Sequence, residues 1–132
     1  MRVLLDTHLL LWAAEGRTGT GEELPVALSR LLLDTVTIPV FSAISILEVA
    51  IKSGLGRPDF AVNPQNLRRG LMENGWEEMP VTGRHAAAVA ALPPIHKDPF
   101  DRLLVAQATI EGITLVTADG LIARYPGPIR RL

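Results

Sequence analysis

The sequence predicts a single α/β domain over residues 1–132, with a mostly parallel central sheet of about five strands and helices on both faces. Short runs of apolar and β-branched residues alternate with longer segments whose apolar residues recur at helical spacing. This alternation favours right-handed crossovers, which make successive strands parallel and cover both faces of the sheet. The length of 132 residues fits one domain, and no internal repeat or linker interrupts it.

The first quarter of the chain predicts one strand and two helices. Arg2–Asp6 is a short β-compatible run that ends at an acid. His8–Ala14 is too apolar for a helix with one exposed face, so we expect it to be a buried helix. The glycine-rich segment Gly16–Gly21 predicts a loop. Pro25–Asp34 predicts a second helix, because proline is tolerated at an early helical position.

Proline and glycine set the boundaries of the later elements. Val36–Ile38 predicts a strand that ends before Pro39, because proline cannot donate to a sheet ladder. Ser42–Ser53 has apolar residues three and four apart and predicts a helix that ends at Gly54. The other predicted elements are a loop at Pro58–Pro64, helices at Gln65–Asn74, Thr82–Leu92, Pro99–Glu111 and Leu121–Arg124, an edge strand at Trp76–Val81, and strands at Ile113–Val116 and Ile129–Leu132.

Composition excludes several classes of protein. The net charge of −1 excludes binding to DNA or an anionic membrane through global charge alone. The absence of cysteine removes disulfides, thiolate metal sites and cysteine nucleophiles, and it suits a reducing cytoplasm. The longest uncharged stretch, Thr35–Leu47, is shorter than the ~20 residues of a membrane-spanning helix. We therefore expect a cytoplasmic protein that does not cross a membrane.

Acidic residues near strand ends point to a ligand site. Open parallel sheets bind ligands outside the carboxyl ends of their strands. Asp6 closes the first predicted strand, and Asp119 follows the strand Ile113–Val116. Asp101 lies in the first turn of the helix that leads into that strand, and Glu48 lies in the helix after the second strand. The fold would bring these acids to one edge of the sheet.

Structural explanations exist for each acid taken alone. Asp98 precedes a proline and is well placed as the N-cap of a helix. Glu48 stands four residues before Lys52, at the spacing of a helical ion pair. Asp119 precedes a glycine in a predicted turn, and Asp6 could cap the helix that follows it.

Taken together, the acids favour a cation site. The apolar helix Pro99–Glu111 should be buried, which places its first turn, with Asp101, near Asp6 and Asp119. Two carboxylates ~4 Å apart repel by roughly 4 kcal/mol at an effective dielectric of about 20, so such a cluster holds a proton or a cation. Oxygen ligands without cysteine suit Mg²⁺ or Mn²⁺. Such an ion can polarise a phosphodiester and lower the pKa of a bound water, so the expected reaction is phosphodiester hydrolysis.

Four segments carry a family resemblance: Leu4–His8, Ser42–Lys52, His96–Ala108 and Thr117–Asp119. Together they resemble the PIN-domain ribonucleases, and more closely the VapC-type toxins of bacterial toxin–antitoxin pairs. The block Asp-Pro-Phe-Asp-Arg, preceded by the early Asp-Thr-His, is the most specific part of the match. The resemblance covers essentially the whole chain.

The resemblance implies roles for individual residues. Asp6, Asp101 and Asp119 would hold the metal directly or through water. Glu48 would orient a metal-bound water or a second ion. The hydroxyls of Thr7 and Thr117 would support neighbouring carboxylates, and Asp98 would lie close to the site.

The resemblance also implies an activity and partners. The protein would be a Mg²⁺-dependent endoribonuclease, with Mn²⁺ as a possible substitute, that cleaves RNA and leaves a 5′-phosphate. A VapB-type antitoxin would inhibit it with a tail in an apolar groove, for which the helices around Leu9–Trp12 and Ala27–Leu33 offer apolar residues. A homodimer is implied as well.

Several other residues have mainly structural interpretations. His8 is expected to pack at a helix start. His96 is expected to be a loop residue or a hydrogen-bond donor beside the site, rather than a metal ligand. Lys52 and Arg102 could meet RNA phosphate, or could pair with Glu48 and with the acid cluster, respectively. The remaining cases are Trp12 and Trp76, expected in the core, and Arg130 and Arg131, expected at a solvated strand end.

Two alternative functions remain at this point. A PIN-like fold could serve as a non-catalytic binding module, although four intact acids count against it. A phospho-receiver domain would also use Mg²⁺ and an acidic pocket, but it needs adjacent acids after the first strand and a lysine after a late one. Here Thr7 follows Asp6, and the two lysines, Lys52 and Lys97, lie on or before predicted helices.

Overall fold

The computed structural model describes residues 1–57 and 60–132 and contains a five-stranded sheet. The strands lie in the order β3-β2-β1-β4-β5, and every neighbouring pair in the sheet is parallel. This arrangement confirms the predicted α/β class. The strands are β1 (Arg2–Leu5), β2 (Ile38–Ser42), β3 (Glu77–Met79), β4 (Thr114–Thr117) and β5 (Ile129–Arg131).

Six α-helices connect the strands within the described residues, and the predicted helical segments agree with most of them. None of the helices in residues 1–57 and 60–132 combines the length and apolarity that crossing a bilayer requires. The helices are α1 (Thr7–Glu15), α2 (Val26–Leu33), α3 (Ala43–Gly54), α4 (Pro64–Glu73), α5 (Gly83–Ala88) and α6 (Pro99–Glu111), and short 3₁₀ turns follow at Val89–Ala91 and Ile122–Arg124.

The sheet separates two hydrophobic cores, because successive side chains of a strand point to opposite faces. Val3 and Leu5 of β1 pack with apolar residues of α1, α2, α3 and α4 on one face. Leu4, between them, packs on the other face with apolar residues of α6. The two cores hold β1 in the centre of the sheet, so the residue that follows β1 is placed at the middle of the carboxyl edge.

The second strand differs from its prediction. Val36–Ile38 was predicted to end before Pro39, but β2 begins at Ile38 and continues through Pro39. The Ile38 amide donates to the Met1 carbonyl on the β1 side at 2.8 Å, so the Pro39 nitrogen faces the opposite side. On that side, pairing with β3 begins only at Val40. The proline therefore removes no ladder bond, and the strand passes through it.

The predicted helix Thr82–Leu92 is α-helical only in its first half. An α-helix would need amide donors at positions 93 and 94 for the carbonyls of residues 89 and 90, and both positions are proline. The chain instead tightens into the 3₁₀ turn Val89–Ala91, in which the Leu92 amide donates to the Val89 carbonyl at 3.1 Å.

Other predicted boundaries need smaller changes. The segment Leu121–Arg124 is a 3₁₀ turn at Ile122–Arg124, and the edge strand Trp76–Val81 is shortened to β3. Its position at the edge of the sheet is confirmed. The first two residues of the predicted loop Pro58–Pro64 lie outside the described residues.

Candidate metal centre

The topology of the sheet creates a crevice at the carboxyl end of β1. After β1 the chain builds β2 and β3 on one side, and it later places β4 and β5 on the other side. The connections that leave β1 and β4 therefore diverge, which is where open α/β sheets bind ligands. Asp6 directly follows β1, and Asp119 lies two residues after β4.

Asp6 is almost completely buried, with 1% of its surface exposed, and both of its carboxylate oxygens are engaged. Oδ1 accepts from the Leu9 amide at 2.8 Å and so caps α1, while Oδ2 accepts from the Thr117 hydroxyl. Burial raises the pKa of Asp6, although the Thr117 hydroxyl and the Leu9 amide act in the opposite direction. Asp6 thus links the ends of β1 and β4.

The two threonines differ in what they contact. The Thr117 hydroxyl donates to Asp6 and its oxygen accepts from the Asp119 amide at 2.9 Å, so it touches two of the predicted site residues. The Thr7 hydroxyl donates instead to Ser45 at 2.8 Å, and within residues 1–57 and 60–132 it has no hydrogen bond to a carboxylate. Thr7 is the first residue of α1 and faces α3, so it joins these two helices rather than supporting an acid directly.

Asp101 and Asp119 come together around His96. The His96 Nε2 atom lies 3.1 Å from Asp101 Oδ2 and 3.3 Å from Asp119 Oδ2. One potential ligand atom from each of these three residues lies within 4.8 Å of the others. Asp6 and Glu48 do not belong to this close group. The convergence of Asp101 and Asp119 was expected from the strand ends. For His96 the sequence left a loop role and a donor role beside the site open, and it did not indicate a place between these two acids.

The fold opposes the negative charge of Asp101. It is 8% exposed, and burial together with the charges of Asp98, Glu48 and Asp6 raises its pKa to about 7, while His96 acts in the opposite direction. A carboxylate placed in this way is stabilised by a proton or by a cation.

Within the part of the chain that the structure describes, Glu48 has one paired and one unpartnered carboxylate oxygen. Its side chain is 2% exposed, and Oε2 pairs with Lys52 Nζ at 2.5 Å. This is the ion pair that the sequence offered as one of two alternatives for Lys52. Oε1 is buried and has no hydrogen-bond partner among the described residues. A buried acceptor in this state normally has a water or an ion as its partner.

Asp98 and Asp119 also serve the local backbone. Asp98 Oδ1 accepts from the Phe100 amide at 2.8 Å and the Asp101 amide at 3.4 Å, which confirms the N-cap interpretation. Asp119 Oδ1 accepts from the Leu121 amide at 2.7 Å. Burial tends to raise the pKa of Asp119, but the backbone donors outweigh it and hold the pKa below its usual value. Asp119 therefore keeps its charge, with Oδ2 directed at His96.

Arg102 does not join the acid cluster, so that alternative for it was wrong. Its Nη1 atom donates to the Pro93 carbonyl at 3.0 Å and to the Tyr125 hydroxyl at 3.1 Å. Its Nη2 atom donates to the Val89 carbonyl at 3.1 Å. Arg102 thus adds a second donor to the Val89 carbonyl and binds the Pro93 carbonyl, so its guanidinium supports the turn that precedes His96.

We expect Arg102→Met to lower the free energy of unfolding by about 2–4 kcal/mol, because it removes charge-assisted hydrogen bonds to partly buried carbonyls. Urea denaturation of the variant beside Arg69→Met measures the effect. Arg69 is an exposed arginine on α4 and serves as the matched control. Equal stability of the two variants would contradict this role of Arg102.

The donor set fits a hard divalent cation. Carboxylate oxygens of Asp101 and Asp119 lie within reach of one point, Asp6 adds a nearby negative charge, and Glu48 has an unpartnered buried oxygen. Oxygen-rich sites of this kind suit Mg²⁺ or Mn²⁺. Direct ligation by Asp6 stays a prediction, because its two oxygens bind Leu9 and Thr117.

Sequence comparison identifies the family. The profile of the PIN domain family matches residues 3–128. The chain belongs to the PIN domain family. This confirms the family resemblance. The five-stranded sheet and the acidic crevice described above belong to the PIN domain of this protein. A comparison with curated protein sequences gives no match.

Solved structures with the same fold align with nearly the whole chain. VapBC2 from Rickettsia felis bound to a promoter DNA fragment contains a chain with a TM-score of 0.70 and 16% identity, with 100% of this chain and 99% of that chain covered. A toxin–antitoxin complex from Klebsiella pneumoniae gives 0.65 and 19%, with 97% and 95% covered. DNA-bound VapBC from Salmonella typhimurium gives 0.66 and 16%, with 99% and 98% covered. At these identities the likeness establishes the fold.

Proposed function

We propose that this PIN-domain protein is a metal-dependent endoribonuclease and the toxin of a toxin–antitoxin pair, acting on RNA in the cytoplasm. The observation that carries the proposal is the convergence of buried acids at the crevice, with Asp101 at a pKa of about 7 and a buried Glu48 oxygen that has no partner. The similar structures of VapBC and toxin–antitoxin complexes support the toxin assignment.

The residues of the crevice would have different roles in phosphodiester hydrolysis. Asp101 and Asp119 would hold the ion, with Asp6 beside them fixed by Thr117. When bound, the ion supplies positive charge to the phosphate and acidity to a water. Glu48 Oε1 is free to accept a hydrogen bond from the attacking water, while Lys52 keeps the other Glu48 oxygen occupied. Water would attack the phosphorus while the bond to the 3′-oxygen breaks. The 3′-oxygen then leaves as a hydroxyl, the phosphate stays on the 5′ end of the downstream fragment, and the ribose 2′-hydroxyl takes no part.

Basic and aromatic side chains next to the acids support an RNA substrate. The lining of a cavity of about 440 Å³ includes His8, Lys52 and Arg57, the aromatic Trp12 and Phe60, and one acid, Glu15. It adjoins the acids because His8 follows Asp6 closely in sequence and Lys52 binds Glu48. Cations can contact phosphate, and aromatic rings can stack on unpaired bases. RNA would then be held by these local positive charges, because the protein as a whole has a net charge of −1 and does not attract RNA through its overall charge.

The proposal is tested by incubating purified protein with total RNA in Mg²⁺, in Mn²⁺ and in EDTA, and by sequencing the new 5′-phosphate ends. We expect defined cuts with either ion and none in the chelator. Persistent cleavage in EDTA would exclude the metal-dependent mechanism. Tight RNA binding without cleavage in either ion would favour the non-catalytic binding module.

An apolar cavity between α1 and α4 supports an antitoxin partner. It has a volume of about 610 Å³, and its lining includes Leu11, Leu67, Leu71 and Trp76. The sequence predicted apolar residues of α1 and α2 for such a groove. This cavity is lined by α1 and α4, and α2 separately keeps Val26 and Leu33 exposed. A hydrophobic segment of a VapB-type antitoxin would fit this groove.

An exposed apolar stripe on α3 supports a homodimer. Leu47, Ile51 and Leu55 recur at intervals of four residues, and each is about half exposed. A second copy of the chain would bury this stripe in a symmetric interface.

We expect wild-type protein to elute as a dimer and Ile51→Glu as a folded monomer. The substitution places a carboxylate in the proposed apolar interface, while the two hydrophobic cores stay unchanged. Size-exclusion chromatography with light scattering measures the mass. Met72→Glu is the matched control, since Met72 on α4 is 47% exposed, as is Ile51. A dimer that survives Ile51→Glu would place the interface elsewhere.

A further inference from the structure

We propose that His96 is a positioning residue of this site, which draws Asp101 and Asp119 together by donating from Nε2 and is not itself a metal ligand. The inference rests on the proposed nuclease function, because it concerns the same acids. It separates two interpretations of the close group of His96, Asp101 and Asp119: a mixed nitrogen and oxygen site, or an oxygen site organised by a histidine.

The hydrogen bond at Nδ1 determines which nitrogen of His96 carries the hydrogen. The Asp98 backbone amide donates to His96 Nδ1 at 3.1 Å. A backbone N–H can only donate, so Nδ1 must present its lone pair. In the neutral imidazole the hydrogen then lies on Nε2, because one ring nitrogen donates when the other accepts.

The Nε2–H group faces two acceptors. Nε2 donates to Asp119 Oδ2 at 3.3 Å, and Asp101 Oδ2 lies 3.1 Å from the same nitrogen, so this donor stands between carboxylates from two separate segments. Hydrogen bonds to carboxylates are stronger than those between neutral groups. The Nε2 lone pair that a metal would need is absent in this tautomer. His96 therefore brings the two oxygens toward one point and leaves their other lone pairs available.

The position of the ring is set by its own neighbours and not by an ion. The His96 amide donates to the Tyr125 hydroxyl at 2.8 Å, and Arg102 donates to the same hydroxyl at 3.1 Å. Tyr125 is buried. The Asp98 amide holds the other side of the ring, and Asp98 also caps α6, which carries Asp101. One short segment thus orients the histidine and begins the helix of the acid that it contacts.

This arrangement has a consequence for the choice of metal. Without a nitrogen ligand from His96, the direct ligands are oxygens, which suit Mg²⁺ and Mn²⁺ better than Zn²⁺. Residues that orient metal ligands typically contribute about 10- to 100-fold to metal affinity. His96 is expected to contribute in that range.

Nitrogen NMR of protein labelled with ¹⁵N-histidine tests the tautomer with and without Mg²⁺. We expect the His96 ring to carry hydrogen on Nε2 and a lone pair on Nδ1 in both samples. Its signals are assigned by their loss in His96→Gln, since His8 and His85 remain. A ring that lacks the Nε2 hydrogen when Mg²⁺ is bound would make His96 a ligand and overturn the proposal.

Two amide variants test the positioning role by calorimetric titration with Mn²⁺. The Gln side chain places an N–H₂ donor where Nε2 stands, whereas the shorter Asn side chain reaches only the position of Nδ1. We expect His96→Asn to lose about 10- to 100-fold in affinity and His96→Gln to recover most of it. Equal affinities for the two variants, whether retained or lost, would overturn the proposal.

Control measurements separate folding and function from positioning. Circular dichroism and thermal unfolding verify that both variants fold. Neither the tautomer nor the Mn²⁺ affinity depends on RNA cleavage. A protein that cleaves no RNA but shows the Asn and Gln difference would refute the proposed function and leave the role of His96 intact.

Discussion

Asp101→Asn is expected to lower RNA cleavage by about two to three orders of magnitude, the range seen when one electrostatic group of an active site is removed. The same change is expected to stabilise the metal-free protein. Asp101 is buried among the charges of Asp98, Glu48 and Asp6, so a neutral amide of the same shape removes repulsion and leaves the packing unchanged. A loss of activity with a gain of stability distinguishes a site residue from a structural one.

Cleavage is measured by the appearance of new 5′-phosphate ends, and stability by thermal unfolding in EDTA. Glu73→Gln is the matched control, because Glu73 is an exposed acid on α4. It should change neither quantity. Cleavage by Asp101→Asn at a rate close to that of the wild type would remove Asp101 from the mechanism, whatever the effect on stability.

The metal-free protein is expected to lose about 2–4 kcal/mol of stability as the pH rises from 4 to 8. The pKa of Asp101 is about 7 in the folded chain against an ordinary value of 3.8. Between these values the folded state binds a proton that the unfolded state has released, so the free energy of unfolding falls with rising pH. The raised pKa of Asp6 acts in the same direction. The stabilisation is complete below pH 3.8 and lost above 7.

Urea denaturation at intervals of pH in EDTA gives the slope. Asp101→Asn should flatten most of it, and saturating Mg²⁺ should do the same in the wild type, since a bound cation replaces the proton. The lowered pKa values of Asp119 and Glu78 act at lower pH, where stability is lost as those groups protonate. A wild-type slope of zero between pH 4 and 7 would contradict the environment described for Asp101.

The main architecture was predictable because it depends on local patterns. Alternating apolar runs and helical periodicity predicted the parallel sheet, and the position of Asp6 directly after β1 follows from the end of an apolar run at an acid. The N-cap at Asp98 was equally readable from the proline that follows it. In each case the signal lies within a few residues of the structure that it specifies.

The missed features depend on contacts between distant segments. Pro39 is tolerated in β2 because β3 pairs only beyond it, which no local pattern shows. Arg102 binds the carbonyls of Val89 and Pro93 in the preceding turn, and His96 meets Asp119 across 23 residues of sequence. The one available signal for His96 was its place two residues before the capping Asp98, whose amide fixes the ring.

The central claim is that acids from separate segments share one divalent ion, and anomalous diffraction from crystals soaked in Mn²⁺ tests it most directly. We expect one strong peak at the crevice, with oxygens of Asp101 and Asp119 at about 2.1 Å, the distance typical of a small divalent ion, and Asp6 joined to it directly or through water. An ion bound elsewhere, or no ion at a concentration that supports RNA cleavage, would contradict the account.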